Sequence, residues 1–370
     1  MSNYYMDEDN FICGLEIYAV GGSVRDSLCN LSVKDRDWVV VGSTPDDMEK
    51  RGFKRVGKDF PVFIHPITKE EYALARKEKK VDVGYNGFKF YTGSDVTLED
   101  DLKRRDLTIN AIAIDKKGTL IDPCRGLHDL KAGILRHVGF AFQEDPLRVM
   151  RLARFCAKFD NFQVAEDTIN LCCNLVQSGE LKYLKPERIW KELSSGLMEK
   201  SPSRMIDFML KTGAIEYVAP GLNLNKMVKD ALDKFSIDIS LASRYALLCI
   251  NSNKIEEIGN KLKVPSSCKN SSKLLQLIAD IVFKLKINDN RKIINLLYKS
   301  DFFRRPKRFT ELLKVLYILE KFDIDKWLNM LNNITKIEMI PIIEACGKNP
   351  LQIKNVLDIE RSKILNELWY

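Results

Sequence analysis

YAVGGSVRDSLCNLSVKDRDWVVVG, residues 18–42, sets an apolar strand against two glycines and an Arg-Asp pair, then two aspartates before a second apolar run. In a strand, residues i and i+2 point to one face, so Asp35 and Asp37 project together if the strand opens at the first of them. Two carboxylates side by side repel unless a cation sits between them. A hard divalent ion suits the pair, Mg²⁺ above all, because it binds through one or two carboxylates plus substrate phosphates. Gly21 and Gly22 let backbone N–H groups approach an anion, a helix opening near Ser23 brings its positive end to the same place, and Arg25 adds a guanidinium fork. A solvated strand end reads the same way from Asp-x-Asp alone; the glycine turn one short helix earlier sets this one apart.

Outward from that stretch, residues up to about 140 form short β-rich runs broken by turns: LEIYAV, DWVVVG, FPVFIHP, EEYALAR, LTINAIAID and GTLIDP. TPDDMEKRG carries a Thr cap, a first-turn Pro, acids and a closing Gly, which predicts a short helix. From EDPLRVMRLARFCAKF onward, apolar residues recur at three and four positions and strand alternation all but disappears. Pro186-Glu187 opens one helix; Ser201-Pro202 opens another that Gly213 ends. The fold class is therefore α+β, a mixed-sheet domain over 1–140 followed by all-helical segments over 141–225 and 226–370.

The 370 residues carry a net charge of +8, which fits an anionic partner such as nucleic acid or nucleotide and equally a Lys-rich soluble surface. Nine cysteines, an odd number without a C-x-x-C pair, point away from a disulfide framework and toward reduced thiols in the cytoplasm. No apolar run reaches membrane-spanning length, and the acidic start MSNYYMDEDNFICG has neither a basic n-region nor an apolar core. No stable protein partner is inferable.

Three further stretches carry chemistry. In DLKRRDLTINAIAID, Arg105 can bind a phosphate bidentately and Asp106 can accept from a ribose hydroxyl, although a charge cluster before a buried strand has the same letters. In EDPLRVMRLARF, Asp145 and Arg148 lie three apart and share a face if both are helical, with Arg151 and Arg154 continuing along it; a structural ion-pair ladder has the same spacing. VDVGYNGFKFYTGSDV, with Gly84, Gly87 and Gly93, has the composition of a mobile loop. Glu71, on the strand before that loop, is a third metal-site carboxylate by position or an exposed strand glutamate.

These motifs in this order resemble the class II tRNA nucleotidyltransferases, the CCA-adding enzymes, which are similar to polymerase-β-type transferases and bacterial poly(A) polymerases. The resemblance covers roughly residues 16–220, including YLKPERIWKEL, which looks like a signature supporting a template helix. It implies a polymerase-β-type head, then a helical neck, body and tail, and Mg²⁺ ions held by Asp35 and Asp37. Gly21, Gly22 and Arg25 would hold the triphosphate, Arg105 and Asp106 the sugar and phosphates, and Arg151 and Arg154 would assist nucleotide binding. Asp145 and Arg148 would read the incoming base. Cytosine and adenine both present an amino donor beside a ring-nitrogen acceptor, so one Asp/Arg pair admits CTP and ATP, whereas uracil and guanine leave buried groups unpaired.

The resemblance also implies that the glycine-containing loop serves addition of the final adenosine. The helical tail would grip tRNA, with Arg304, Arg305, Lys307 and Arg308 of DFFRRPKRFTELLK on backbone phosphates beside Phe302, Phe303 and Phe309. A helix-turn with core aromatics and solvated arginines fits that stretch equally. Some bacterial members append an HD-type phosphohydrolase domain needing a His-Asp metal motif, and that activity is not expected of a chain whose last histidine is His137. Alternatives to C-C-A synthesis are a poly(A) polymerase, a CC-only or A-only transferase, and a non-catalytic RNA-binding protein.

Overall fold

Strand β1 (Glu16–Val20) is the hinge of the N-terminal sheet: it pairs antiparallel with β2 (Asp37–Val41) on one side and with the short β8 (Ala113–Ile114) on the other. The computed structural model describes residues 9–33, 35–57, 62–80, 88–236, 238–284, 290–347 and 349–369. With β3 (Lys54–Val56), β4 (Val62–Ile64), β5 (Glu71–Leu74) and β9 (Leu120–Ile121), the order across the sheet is β3-β4-β5-β2-β1-β8-β9, and only β2·β5 is parallel. A separate hairpin, β6 (Lys77–Lys80) with β7 (Phe88–Tyr91), flanks the segment containing Gly84 and Gly87, which lies outside the described residues.

Strand alternation sends Ile17, Ala19, Trp38, Val40, Phe63 and Tyr72 into one core, closed by Val24 of α1 (Gly22–Leu28) and Met48 of α2 (Pro45–Lys50). Val20, Val39, Ala111 and Ala113 face a second core with Leu98 and Leu102 of α3 (Leu98–Lys103). Thr44 caps α2 by accepting from the Asp47 N–H, and Thr97 with Asp100 forms a capping box on α3. Asp37 shares the face of Val39, so the second core lies beneath the carboxylate.

The expected strand LTINAIAID is shortened to β8, because Thr108–Asn110 form a 3-10 turn. The Thr108 hydroxyl donates to Asp129 Oδ2 (2.8 Å) on α4 (Gly126–Ala132), and Gly126 lies so close to the Thr108 carbonyl that no Cβ would fit. This tertiary demand overrides the local β preference of Thr and Ile. A further pair, β10 (Ile134–Leu135) and β11 (Gln163–Val164), precedes and follows α5 (Leu147–Lys158).

The chain divides into two compact units, Met1–Gly196 with Arg204–Val218, and Leu197–Ser203 with Ala219–Tyr370. The first also contains α6 (Glu166–Gln177), α7 (Pro186–Leu197) up to Gly196, α8 (Pro202–Thr212) from Arg204, and α9 (Ala214–Val218). Pro186 and Pro202 open their helices, and Gly213 follows α8 with φ 77°, as their sequence signals predict.

In the second unit, α10 (Lys226–Leu232) and α11 (Leu241–Leu248) precede α12 (Ile255–Lys261) and α13 (Ser266–Ala279), which ends in a π-helical turn over Asp280–Lys284. Then come α14 (Asn290–Lys299), α15 (Pro306–Leu319), α16 (Ile324–Thr335), α17 (Met339–Ala345) and α18 (Pro350–Trp369). Helix α11 packs on α13 and α15, while α14 and α16 pack on α18. Among the described residues, no helix is long and apolar enough to cross a membrane.

Candidate active site

Gly21 ends β1 with φ 73° and ψ −131°, a conformation that favours glycine. A Cβ built there would stand 2.8 Å from Arg105 Nη1, so the missing side chain also makes room for a guanidinium. Arg25, on α1, is buried and pinned: Nε and Nη2 donate to Asp26 Oδ1 (2.8 and 2.7 Å), and Nη1 donates to Asn110 Oδ1. Its guanidinium lies over the rings of Phe155 and Phe159, at 5.1 and 5.3 Å.

Strand β2 opens at Asp37, not at Asp35. Val20↔Asp37 is the last pair of the β1·β2 ladder, and the turn at Gly21 removes the partner that would extend it. Asp35 therefore stands on an exposed irregular segment, and strand periodicity does not carry it onto the face of Asp37. The carboxylate that strand geometry does place beside Asp37 is Glu71, its register partner on β5. Crowding by the protein raises the Asp37 pKa; the Arg105 cation opposes this, while the Glu71 and Asp35 charges add to it. Three acids thus repel within electrostatic reach, although among the described residues no group of three His, Cys, Asp or Glu is gathered closely enough to hold a metal ion alone. That donor set fits a hard cation completing its shell with phosphate oxygens.

A wall of arginines rises beside the carboxylates. Asp101, with a side chain that is 0% exposed, binds Arg104 through Nε (2.9 Å) and Nη2 (2.5 Å) and Arg105 through Nη2 (3.0 Å). Burial by itself would raise the Asp101 pKa, but the two guanidinium groups outweigh it and hold the carboxyl below its ordinary value. Asp106 is also buried, and both its oxygens have protein partners: Oδ1 accepts from the Leu107 N–H and Asn110, and Oδ2 from Arg151 Nε, 2.8 Å away. Against the cost of burial, Arg151, Asn110 and Arg148 hold its pKa well below the carboxylate range. Glu192 of α7 then joins Arg151 (3.8 Å) to Arg154 (2.7 Å).

The Asp145/Arg148 pair differs from its expected form. Helix α5 begins at Leu147, so Asp145 precedes it with extended backbone, accepting from the Leu147 N–H at 3.0 Å and from Arg188 Nη2 at 2.9 Å. Pro146 restricts Asp145 to extended geometry and so sets this helix start. Arg148 is buried and donates to the carbonyls of Ala141 and Arg104, both at 2.6 Å, and of Arg105 at 3.5 Å.

These residues enclose an open cavity of about 550 Å³. Eight arginines line it (25, 76, 104, 105, 148, 151, 154 and 188) against Asp37, Asp106 and Asp145, a formal excess of five positive charges. Gly21, Gly22, Asn110, Leu147 and Phe155 complete the lining. Such a space suits a polyanion carrying a flat apolar group.

The poly A polymerase head domain family matches residues 17–136, and the family described as "Probable RNA and SrmB- binding site of polymerase A" matches 161–225. A CCA-adding enzyme of Bordetella bronchiseptica is 45% identical over 359 residues, covering 97% of this chain and 98% of its own. The chain belongs to the CCA-adding enzyme family. The fold agrees with two solved members of the family. A Thermotoga maritima CCA-adding enzyme complexed with tRNA aligns with TM-score 0.71 at 22% identity, over 97% of this chain and 92% of its own. A Bacillus stearothermophilus CCA-adding enzyme in complex with CTP aligns with TM-score 0.68 at 23% identity, over 96% and 89%.

Gly21, Gly22, Arg25, Asp37, Arg105, Asp106, Asp145, Arg148, Arg151 and Arg154 line this family member's cavity together; Asp35 and Glu71 do not. Sequence reasoning did not assign Arg76, Arg104, Asn110, Phe155 or Arg188 to the site, nor the buried acids Asp101 and Glu192 behind it. Arg188 and Glu192, four apart in YLKPERIWKEL, carried a usable signal: an Arg/Glu pair on one helix face, facing an arginine-rich helix. In the second unit, Arg304, Arg305 and Lys307 are exposed, whereas Arg308 donates to the Ser300 carbonyl at 2.5 Å. Phe302 and Phe309 are buried and Phe303 lies under Arg361 at 3.8 Å, so core packing takes these aromatics away from the expected stacking role.

Proposed function

We propose that this chain adds C, C and A to the 3′ end of tRNA, using CTP and ATP and releasing pyrophosphate. The observation that carries this reading is the arginine-lined cavity with carboxylates at its edge: five surplus positive charges for a triphosphate beside acids that repel one another without a cation. Nucleotidyltransferases of this family use divalent metal ions. We assign Mg²⁺ to Asp35 and Asp37, with Glu71 flanking. When bound there, it would lower the pKa of the attacking 3′-hydroxyl and neutralise charge on the triphosphate.

The protein's own groups do the rest. Arg105 lines the cavity with its guanidinium held by Asp101 at 3.0 Å, a fork suited to a phosphate oxygen. Arg151 and Arg154 are oriented by Asp106 and Glu192, so they meet the nucleotide already in place. Asp145 accepts from the exocyclic amino group of C or A, since a carboxylate oxygen held by one donor retains a second lone pair. Arg148 donates to the neighbouring ring nitrogen. Arg304, Arg305 and Lys307 contact tRNA phosphates, with Arg308 contributing beside them. The nine unpaired cysteines suit the reducing cytoplasm.

The test is incubation with tRNAs ending before C, after C and after C-C, each with one labelled nucleotide at a time. Expected products are one specified addition per step, C, C, then A. A long A tail would indicate a poly(A) polymerase instead. Asp35→Ala and Asp37→Ala should abolish incorporation while tRNA binding survives, and incorporation retained in either would refute the metal assignment.

A further inference from the structure

Asp101 does not line the cavity, yet it stands behind two of its walls. On one side its carboxylate gathers the guanidinium groups of Arg104 and Arg105, with Oδ1 serving Arg104 and Oδ2 serving Arg105. Oδ1 also accepts the Arg76 N–H at 3.4 Å, directly before the β6–β7 hairpin begins at Lys77. Two like charges drawn to one carboxylate remain close together because the anion between them offsets their repulsion.

On the other side, the backbone of the same two arginines is the seat of Arg148. The Arg104 carbonyl accepts from Arg148 Nη2 at 2.6 Å and the Arg105 carbonyl from Nη1 at 3.5 Å. Residues 104 and 105 therefore face two ways: their side chains are fixed by Asp101, and their carbonyls fix a guanidinium that lines the cavity beside Asp145. The carboxyl group is wholly buried at the end of α3, where Leu102 of the same helix is also fully buried. It has no room to choose another geometry without moving the peptide that presents both carbonyls.

We propose that Asp101 is a positioning residue that sets nucleotide affinity and base choice together, the first through the guanidinium groups of Arg104 and Arg105 and the second through their carbonyls to Arg148. This rests on reading Arg148 as the base-selecting residue. A purely structural role would reduce the folded fraction and leave the properties of each active molecule intact. A positioning role alters ratios measured on those active molecules.

The experiment compares the full-length chain with Asp101→Asn, which keeps the shape and one acceptor but removes the charge. It measures KM for CTP and the ratio of kcat/KM for CTP over UTP, on tRNA lacking its last three nucleotides. We expect KM to rise about tenfold and the CTP/UTP ratio to fall about tenfold, the scale of one weakened charge-assisted contact on each path. The tRNA dissociation constant should stay unchanged, and Asp101→Glu should fail to restore either value, because an added methylene does not fit the closed site. Wild-type KM and wild-type discrimination in Asp101→Asn, with only kcat or melting temperature lowered, would overturn the role of Asp101. Should Asp101→Asn prove unfolded, the same measurements on Asp101→Glu decide the matter: an altered KM and CTP/UTP ratio support the role, and wild-type values for both overturn it. The unmodified chain is the control: its failure to reject UTP would defeat the base-selection reading itself, a result distinct from failure of the Asp101 proposal.

Discussion

Replacing Glu192 with glutamine removes one negative charge from between two guanidinium groups while keeping the side chain's shape. The glutamate side chain is 8% exposed, Arg154 18% and Arg151 37%. Removing one partner from a fully buried pair costs about 3–5 kcal/mol. Here both arginines reach water, and the 3.8 Å contact to Arg151 is long, so solvent recovers part of that and about 2 kcal/mol remains. For a unit of this size, each kcal/mol shifts the melting temperature by about 2–4 °C, giving an expected loss of about 4–8 °C at pH 7. Because Arg151 and Arg154 line the cavity, their looser placement should also raise KM for CTP several-fold, with kcat less affected. Thermal unfolding followed by fluorescence and steady-state kinetics at two salt concentrations measure both quantities. Part of the loss should fade at high salt, since both arginines reach water, while the 8%-exposed Glu192 retains the remainder. An unchanged melting temperature and unchanged KM would refute the claim that Glu192 orients the two arginines.

The Asp37 pKa is raised on folding, so at pH 7 the folded chain holds that charge at a cost the unfolded chain does not bear. Asp37→Asn should therefore raise the melting temperature at pH 7, and the gain should vanish below the ordinary carboxylate pKa, where both states are protonated; an equal gain at both pH values contradicts this. Gly21→Ala adds a Cβ within 2.8 Å of Arg105 Nη1 at a positive φ, and should raise KM for CTP by about tenfold while costing about 1–2 kcal/mol of stability. Wild-type nucleotide affinity in that variant would show that Arg105 does not need the space. Asp145→Ala and Arg148→Ala should let UTP and GTP compete, visible as misincorporation on tRNA ending before C, and a uniform slowing of all four nucleotides would count against base reading by this pair.

The order of motifs was legible because each is a local device: a glycine turn, an acid at a strand opening, and arginines at helical spacing. Asp37, Arg105, Asp106 and the α5 arginines meet around one cavity despite wide separation in the chain. Partnership was not legible. Asp106 could be read as a sugar contact, but nothing local indicates that Arg151, 45 residues on, occupies its outer oxygen. Asp145 looked helical from its spacing to Arg148, while Pro146 and the local hydrogen bond its carboxylate accepts from the Leu147 N–H set it outside the helix. Phe302 and Phe309 resembled a stacking surface because an aromatic beside arginine looks alike in a core and on a surface; burial alone separates the two.

The arrangement of charges explains how eight arginines can share one cavity in a folded chain. Asp106 and Asp145 of the lining hold Arg151 and Arg188, and three acids outside it hold the others' charge: Asp101 draws in Arg104 and Arg105, Asp26 takes Arg25, and Glu192 lies between Arg151 and Arg154. Each acid offsets repulsion between the arginines, and an anionic ligand in the cavity would complete the balance. Asp37, at the edge of the same cavity, faces Arg105 on one hand and the like charges of Glu71 and Asp35 on the other. The arginine field thus favours an anion, and the carboxylates beside Asp37 favour a cation at the edge of the same cavity. A nucleoside triphosphate with its divalent ion, the ligand proposed above, carries both charges in that order, and the arginines that would receive it are already held by protein partners.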